Sequence, residues 1–208
     1  MKRIALLGLA IVAVFAMTAL NASAKKAGLI LHTAKITELK AGAEISASSK
    51  NLTFTTEKGA LECTVNILGG KLGNNNSSKD KGTVESDIEE GTETVGSEHN
   101  LCKTALGPAK IHSLKFPWTD EFGSTGKYAT KGKKITFTST FPGLGGVMCV
   151  FEAATVKGTN TTTGKLEITI SKQKFKANKK LSNEACPKEG TLSGVFNEIT
   201  SGGESVEA

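Results

Sequence analysis

The stretch Lys134-Ile135-Thr136-Phe137-Thr138-Ser139-Thr140 alternates apolar and hydroxyl side chains with a period of two, and Leu52-Thr53-Phe54-Thr55-Thr56 does the same earlier in the chain. Such alternation sets one apolar row on one face of an extended backbone, and Thr, Val, Ile and Phe all favour that conformation. The pattern recurs at residues 61–67, 110–116, 147–153, 164–170 and 191–199. Turn-forming pairs separate the runs: Lys58-Gly59, Gly69-Gly70, Lys131-Gly132, Pro142-Gly143, Gly145-Gly146, Lys157-Gly158 and Thr163-Gly164. Beyond residue 24 no segment carries helical periodicity. The expectation is an all-β, antiparallel fold, a β-sandwich or barrel-like arrangement rather than a parallel sheet.

The two Phe-centred runs are each followed by a Cys-bearing strand, Cys63-Thr64-Val65 and Cys149-Val150-Phe151, and Cys102 and Cys186 come next at nearly equal intervals. This echo suggests two similar β-modules, the first over 25–125 with a polar loop at 69–100 and the second over 126–208, or one continuous sandwich spanning both. In a duplicated chain Cys63 would pair with Cys102 and Cys149 with Cys186, although four Cys allow three connectivities. Each loop of about 40 residues would then contribute on the order of 4 kcal/mol by restricting the unfolded chain. An immunoglobulin core would set a Trp between paired Cys, and Trp118 lies outside both intervals.

The N-terminus reads as a secretory signal peptide over 1–24. Met1-Lys2-Arg3 is basic, residues 4–20 are apolar, and Ala22-Ser23-Ala24 supplies small side chains for cleavage. Its removal takes the chain's one Arg, Arg3, and lowers the formal charge of +6 by the two charges of Lys2 and Arg3. The lack of a guanidinium fork argues against specific nucleic-acid readout and Arg-clamped anion chemistry, and no nucleic-acid partner is expected. The expected destination is secreted, extracellular or cell-wall associated, with no membrane contact after cleavage. Oxidising conditions there suit disulfides in a chain whose apolar content, 38% including the signal, becomes lean without it. The residual positive charge suits loose attraction to an anionic cell-wall polymer.

Between the first two Cys, Gly69 to Ser78 (GGKLGNNNSS) reads as an exposed loop. From Val84 to Glu90 the alternation places Glu85, Asp87 and Glu89 on one face. A calcium site would gather carboxylates, but the spacing is not that of an EF-hand, and a solvated strand face accounts for it. Lys172, Lys174 and Lys176 form a complementary ladder, so cross-strand pairing of the two segments is an expectation. No cofactor and no metal are called for. His99 and Cys102 have ligand spacing without a second pair, and His32 and His112 stand alone. Ser124-Thr125-Gly126-Lys127 fits S-x-x-K and Thr163-Gly164-Lys165 weakly echoes K-T-G, yet no helix carries the first, and no G-x-S-x-G is present.

The best binding candidate is Phe116-Pro117-Trp118-Thr119-Asp120-Glu121-Phe122, which concentrates rings in a chain that is 5% aromatic. With Tyr128 nearby, Trp118, Asp120 and Glu121 compose a set that suits a polysaccharide or a small apolar ligand. The favoured arrangement nevertheless has Phe116 and Trp118, at i and i+2, facing one core together, since an aromatic-poor β-protein needs its large side chains inside.

The segments LKFPW (114–118), GGVMCVFEA (145–153) and ACPKEGTLSGVF (185–196) resemble a layout found in secreted β-rich proteins of unknown function from high-GC soil actinobacteria. The resemblance implies export, disulfides and an all-β fold, and brings no activity. The expected function is that of a secreted, non-enzymatic structural or cell-envelope-associated β-protein. A binding module for polysaccharide or a small apolar ligand is the first alternative, and a carboxylate-dependent hydrolase the second.

Overall fold

Thr56 ends one long strand and Gly59 begins the next, with only Glu57 and Lys58 to turn the chain between them. The Thr56 hydroxyl closes this turn, donating to the Gly59 carbonyl at 3.0 Å and accepting from the Lys58 N–H at 3.1 Å. The strands so joined, β2 (Glu44–Thr56) and β3 (Gly59–Asn74), pair antiparallel along almost their whole length. A second long hairpin joins β8 (Lys127–Phe141) to β9 (Val147–Asn160) through Pro142–Leu144 and two left-handed glycines, Gly145 and Gly146. The computed structural model describes residues 29–35, 37–75, 79–87 and 101–208. The expected signal peptide 1–24, His99 and residues 88–90 lie outside the described residues.

These hairpins frame a closed eight-stranded antiparallel barrel. Its ring runs β2, β11 (Glu189–Phe196), β10 (Ile168–Ala177), β9, β8, β6 (Gly107–Leu114), β5 (Leu101–Thr104), β3 and back to β2. Strands from both intervals of the sequence therefore close one ring. The extra strands are β4 (Lys79–Asp87), β7 (Trp118–Gly123), β12 (Glu198–Ser201), β13 (Glu204–Glu207) and β1 (His32–Thr33). The last three extend the sheet beside the first half of β2.

The wall between β3 and β8 is built in two pieces. Toward one end β5 pairs with β3 at 62–64 and β6 with β8 at 136–139. Toward the other, β4 pairs with β3 at 67–74 and β7 with β8 at 128–131. Between the pieces β3 residues 65–66 and β8 residues 132–135 have no ladder partner on this side. At the same place β8 bulges against β9, three of its residues standing opposite one. The chain crosses from the upper piece to the lower through Lys115-Phe116-Pro117, with a cis Phe116–Pro117 bond and Lys115 at φ 62°.

One end of the interior is filled by rings. Phe54 meets Phe137 edge-on at 5.0 Å and Phe151 at 4.7 Å, while Phe137 meets Phe175 at 5.0 Å. Such edge-to-face geometry adds to area burial. Phe54 lies over Gly190, where a Cβ would come within 2.3 Å of the ring. Cys63–Cys102 joins directly opposed residues of β3 and β5, and Cys149–Cys186 ties β9 to the connection preceding β11; all four are buried. The echoed hairpins pair in different registers: Cys63 faces Leu52, two residues before Phe54, whereas Cys149 faces Ser139, two residues after Phe137.

Two expectations are corrected here. The segment 69–100 is not simply a polar loop, since β3 runs on to Asn74 and β4 occupies Lys79–Asp87. The Gly/Asn-rich composition hid an alternation in which Gly70 and Leu72 are buried while Lys71 and Gly73 are exposed. The Asn75 side chain, expected in the loop, instead bonds the backbone of Leu31 and Leu39 at 2.8 Å, anchoring the first described segment. The acidic strand and the lysine ladder are also apart: β4 lies between β3 and β7, and β10 between β9 and β11. In register, Lys176 stands opposite Glu152 on β9 and Glu189 on β11 instead.

Because the Phe54 ring has no room to retreat, Gly190→Ala is expected to lower stability by about 2–3 kcal/mol. Urea denaturation monitored by circular dichroism measures this loss.

Candidate functional site

Alternation along β7 turns Trp118, Asp120 and Phe122 inward and Thr119 and Glu121 outward. On the adjoining part of β8, Tyr128 and Thr130 point inward beside them, with Phe122 paired to Tyr128 and Asp120 to Thr130. Three of the four candidate binding residues, Trp118, Asp120 and Tyr128, thus line one cavity of about 90 Å³ inside the barrel. The fourth, Glu121, accepts a hydrogen bond from Lys131 Nζ at 2.8 Å on the outer face. Trp118 is 7% exposed, and its ring lies 4.5 Å from that of Phe116, so it offers no external stacking platform.

The rest of the cavity wall is mainly aliphatic and aromatic, including Leu52, Val65, Ile135, Val156, Ile170 and Phe196. Against it stands one polar cluster. Tyr128 OH donates to Asp120 Oδ1 at 2.8 Å, and its oxygen lies 2.7 Å from Thr130 Oγ1. Burial pushes the Asp120 carboxyl up to about 6, while hydrogen bonds from Thr130 and Tyr128 hold it back. Burial and the adjacent Asp120 carboxylate drive the Tyr128 phenol well above its usual range. Trp118 Nε1 is buried with no hydrogen-bond partner among the described residues.

The crossing at 115–117 is fastened from outside. Glu152 accepts hydrogen bonds from Lys115 and Lys134, each at 2.6 Å, and from Asn178 at 2.9 Å. Burial alone would raise its carboxyl, but these three donors and the charge of Lys115 hold it down at about 2. Gly132 belongs to the same arrangement, since a Cβ there would stand 3.3 Å from Trp118 Cδ1. The missing side chain lets the indole lie close against β8.

Other candidates fall apart in space. Cys102 is consumed by its bond to Cys63. His32 bonds locally to the Thr33 carbonyl, and His112 stands opposite Thr138. Residues 124–127 form the β7–β8 turn, closed by Gly126 N–H donating to Gly123 O at 2.8 Å. Among the described residues no group of three or more His, Cys, Asp or Glu is placed to hold a metal. Sequence reasoning missed Thr130, whose only signal was its position two residues beyond Tyr128 on an alternating strand.

No protein-family model matches the chain, and neither curated proteins nor solved structures provide a match. What is established is therefore the class: a closed β-barrel protein with two disulfides, a composition suited to an oxidising environment.

The two shifted carboxyls act on stability in opposite senses. Asp120 holds its proton more tightly folded than unfolded, so its ionisation destabilises the fold progressively as pH rises from about 4 to about 6. Asp120→Asn should therefore raise the melting temperature at pH 7.5, by the equivalent of about 1–2 kcal/mol, and change it little at pH 4. Glu152 holds its proton less tightly folded, so its contribution is present above about 4.5 and fades as pH falls toward 2. Glu152→Gln should cost about 1 kcal/mol at neutral pH and progressively less as pH falls from about 4.5 toward 2. Calorimetry across pH 2–8 tests both signs.

Proposed function

We propose that this is a secreted, non-enzymatic β-barrel whose interior holds a small, largely apolar ligand. The observation that carries this reading is the cavity itself: largely apolar walls interrupted by Ser113 and by a cluster of convergent polar groups at Asp120, Tyr128 and Thr130. Binding sites in β-barrels combine these two elements, apolar surface for affinity and a few fixed polar atoms for orientation. At about 90 Å³ the space is smaller than the ~150 Å³ apolar cavity that admits benzene. It suits a ligand of only a few non-hydrogen atoms, since about 30 Å³ of liquid volume per water-sized group divides it into about three.

The other readings have less to support them. A polysaccharide module would use exposed ring faces, and Trp118 is buried. Glycoside hydrolysis uses paired carboxylates, and Asp120 is the single carboxylate among the described residues lining the cavity. Secretion is supported by the basic–apolar–small N-terminal pattern, by the two disulfides and by the resemblance to exported actinobacterial proteins. The role would be carriage or sequestration in the cell envelope or its surroundings.

In a titration of the full chain with 1-propanol followed by ¹H–¹⁵N NMR, shifts are expected to concentrate at Trp118, Thr130, Ile135 and Val156. Val156→Phe, which places a ring in the cavity, should weaken that binding at least tenfold. Shifts scattered over the surface, or unaltered by the substitution, would overturn the reading.

A further inference from the structure

The cavity is unbalanced in charge. Among its described lining residues only Asp120 and Tyr128 titrate, and no Lys or His joins them. The strands flanking Asp120 bring no cation to its position: its register partner on β4 is Gly82 and on β8 is Thr130. The nearest lysines in register occupy alternate positions. Lys81 stands opposite Glu121, and Lys131 stands opposite Thr119 with its ammonium on Glu121 Oε2. Ion pairs among the described residues do not include Asp120.

A carboxylate taken out of water with only two hydroxyls for company is half of an ion pair. Five of the side chains that line the cavity with it are aromatic, Trp118 and Tyr128 on the β7–β8 piece of the wall and Phe137, Phe175 and Phe196 elsewhere on the lining. Rings disfavour anions at their faces and attract ammonium groups, so this lining would repel a carboxylate or phosphate ligand and favour a cation. The Tyr128 proton already goes to Asp120, so this cluster presents mainly acceptor capacity to a newcomer, while the Trp118 Nε1–H, unpartnered among the described residues, is a single neutral donor that supplies no charge to balance an anion.

From this geometry we infer that the ligand is a small alkylammonium ion, its N–H groups donated to Asp120 and its short alkyl body packed against the aliphatic and aromatic wall. The inference rests on the cavity being the ligand site, as proposed above, and adds the chemical class. A charge-assisted bond in this setting is stronger than the neutral bond an alcohol would make. Because Asp120 ionises near pH 6, the preference for a cation should appear above that pH and vanish well below it.

The test compares propylammonium chloride with 1-propanol, two probes of equal heavy-atom number, on the full chain at constant ionic strength. Binding is read from ¹H–¹⁵N shifts of the cavity residues at pH 7.5 and at pH 4.5. Propylammonium stays charged throughout, so any change in preference belongs to the protein. The expected result is at least tenfold tighter binding of propylammonium at pH 7.5, falling to within threefold of 1-propanol at pH 4.5. In Asp120→Asn the two probes should bind within threefold of each other at both pH values. The pH series on the unaltered chain decides the matter even where that variant folds poorly. Equal binding of the two probes at pH 7.5, or a preference unaltered at pH 4.5, would overturn the ammonium inference while leaving the cavity as a ligand site. Absence of cavity shifts with either probe would overturn both.

Discussion

Ring closure imposes a mismatch that the rest of the molecule accommodates. β3 and β8 are among the longest strands, and the strands between them are too short to span either one. Their exposed edges must nevertheless be satisfied, because unpaired backbone N–H and C=O groups cannot be left in a wall that encloses an apolar interior. Two short pairs share the span, β5 with β6 toward one end and β4 with β7 toward the other. The seam between them requires the bulge in β8, the crossing at 115–117 and the close seat of Trp118 against Gly132.

That seam also positions the site. Crossing at 115–117 delivers β7 to the wall with Trp118, Asp120 and Phe122 facing inward, and the β7–β8 turn returns Tyr128 and Thr130 beside them. A polar cluster is therefore built into the piece of wall that β7 forms with β8, while the phenylalanine cluster fills the other end. Asn160 fastens this piece to β9, its side-chain amide bonding both the N–H and the carbonyl of Gly123. Glu152 does the same for the crossing from outside, gathering Lys115 and Lys134. One carboxylate is well paired and holds the wall together, whereas Asp120 is poorly paired and faces the interior. The same side-chain chemistry serves opposite ends because desolvation without a cation raises the cost of ionisation and cation contacts lower it.

Stabilisation is concentrated as well. Four phenylalanines from β2, β8, β9 and β10 meet in one cluster, so strands distant in sequence are tied through rings as well as through the buried Leu, Ile and Val side chains around them. The disulfides reinforce different places, Cys63–Cys102 within the wall and Cys149–Cys186 between β9 and the connection leading into β11. In a chain lean in apolar residues, restricting the unfolded state in two separate loops complements a compact aromatic core.

Local pattern in the sequence was enough to establish strands around Phe54, Cys63, Phe137 and Phe151, the turns at Lys58-Gly59 and Gly145-Gly146, and the absence of α-helix among the described residues beyond residue 24. It also singled out Trp118, Asp120 and Tyr128. Local pattern could not show β3 continuing through a Gly/Asn-rich run, because alternation there depends on Leu72 being covered by other segments. Nor could it say that Lys176 of β10 stands in register with Glu152 and Glu189 rather than with the acids of β4, since register between strands far apart in sequence is set by how the ring closes. The alternation at Trp118 and Asp120 named two faces without deciding which was inside. Only the closed barrel decided that, because inward and outward have no meaning for a strand until its partners on both sides enclose a volume.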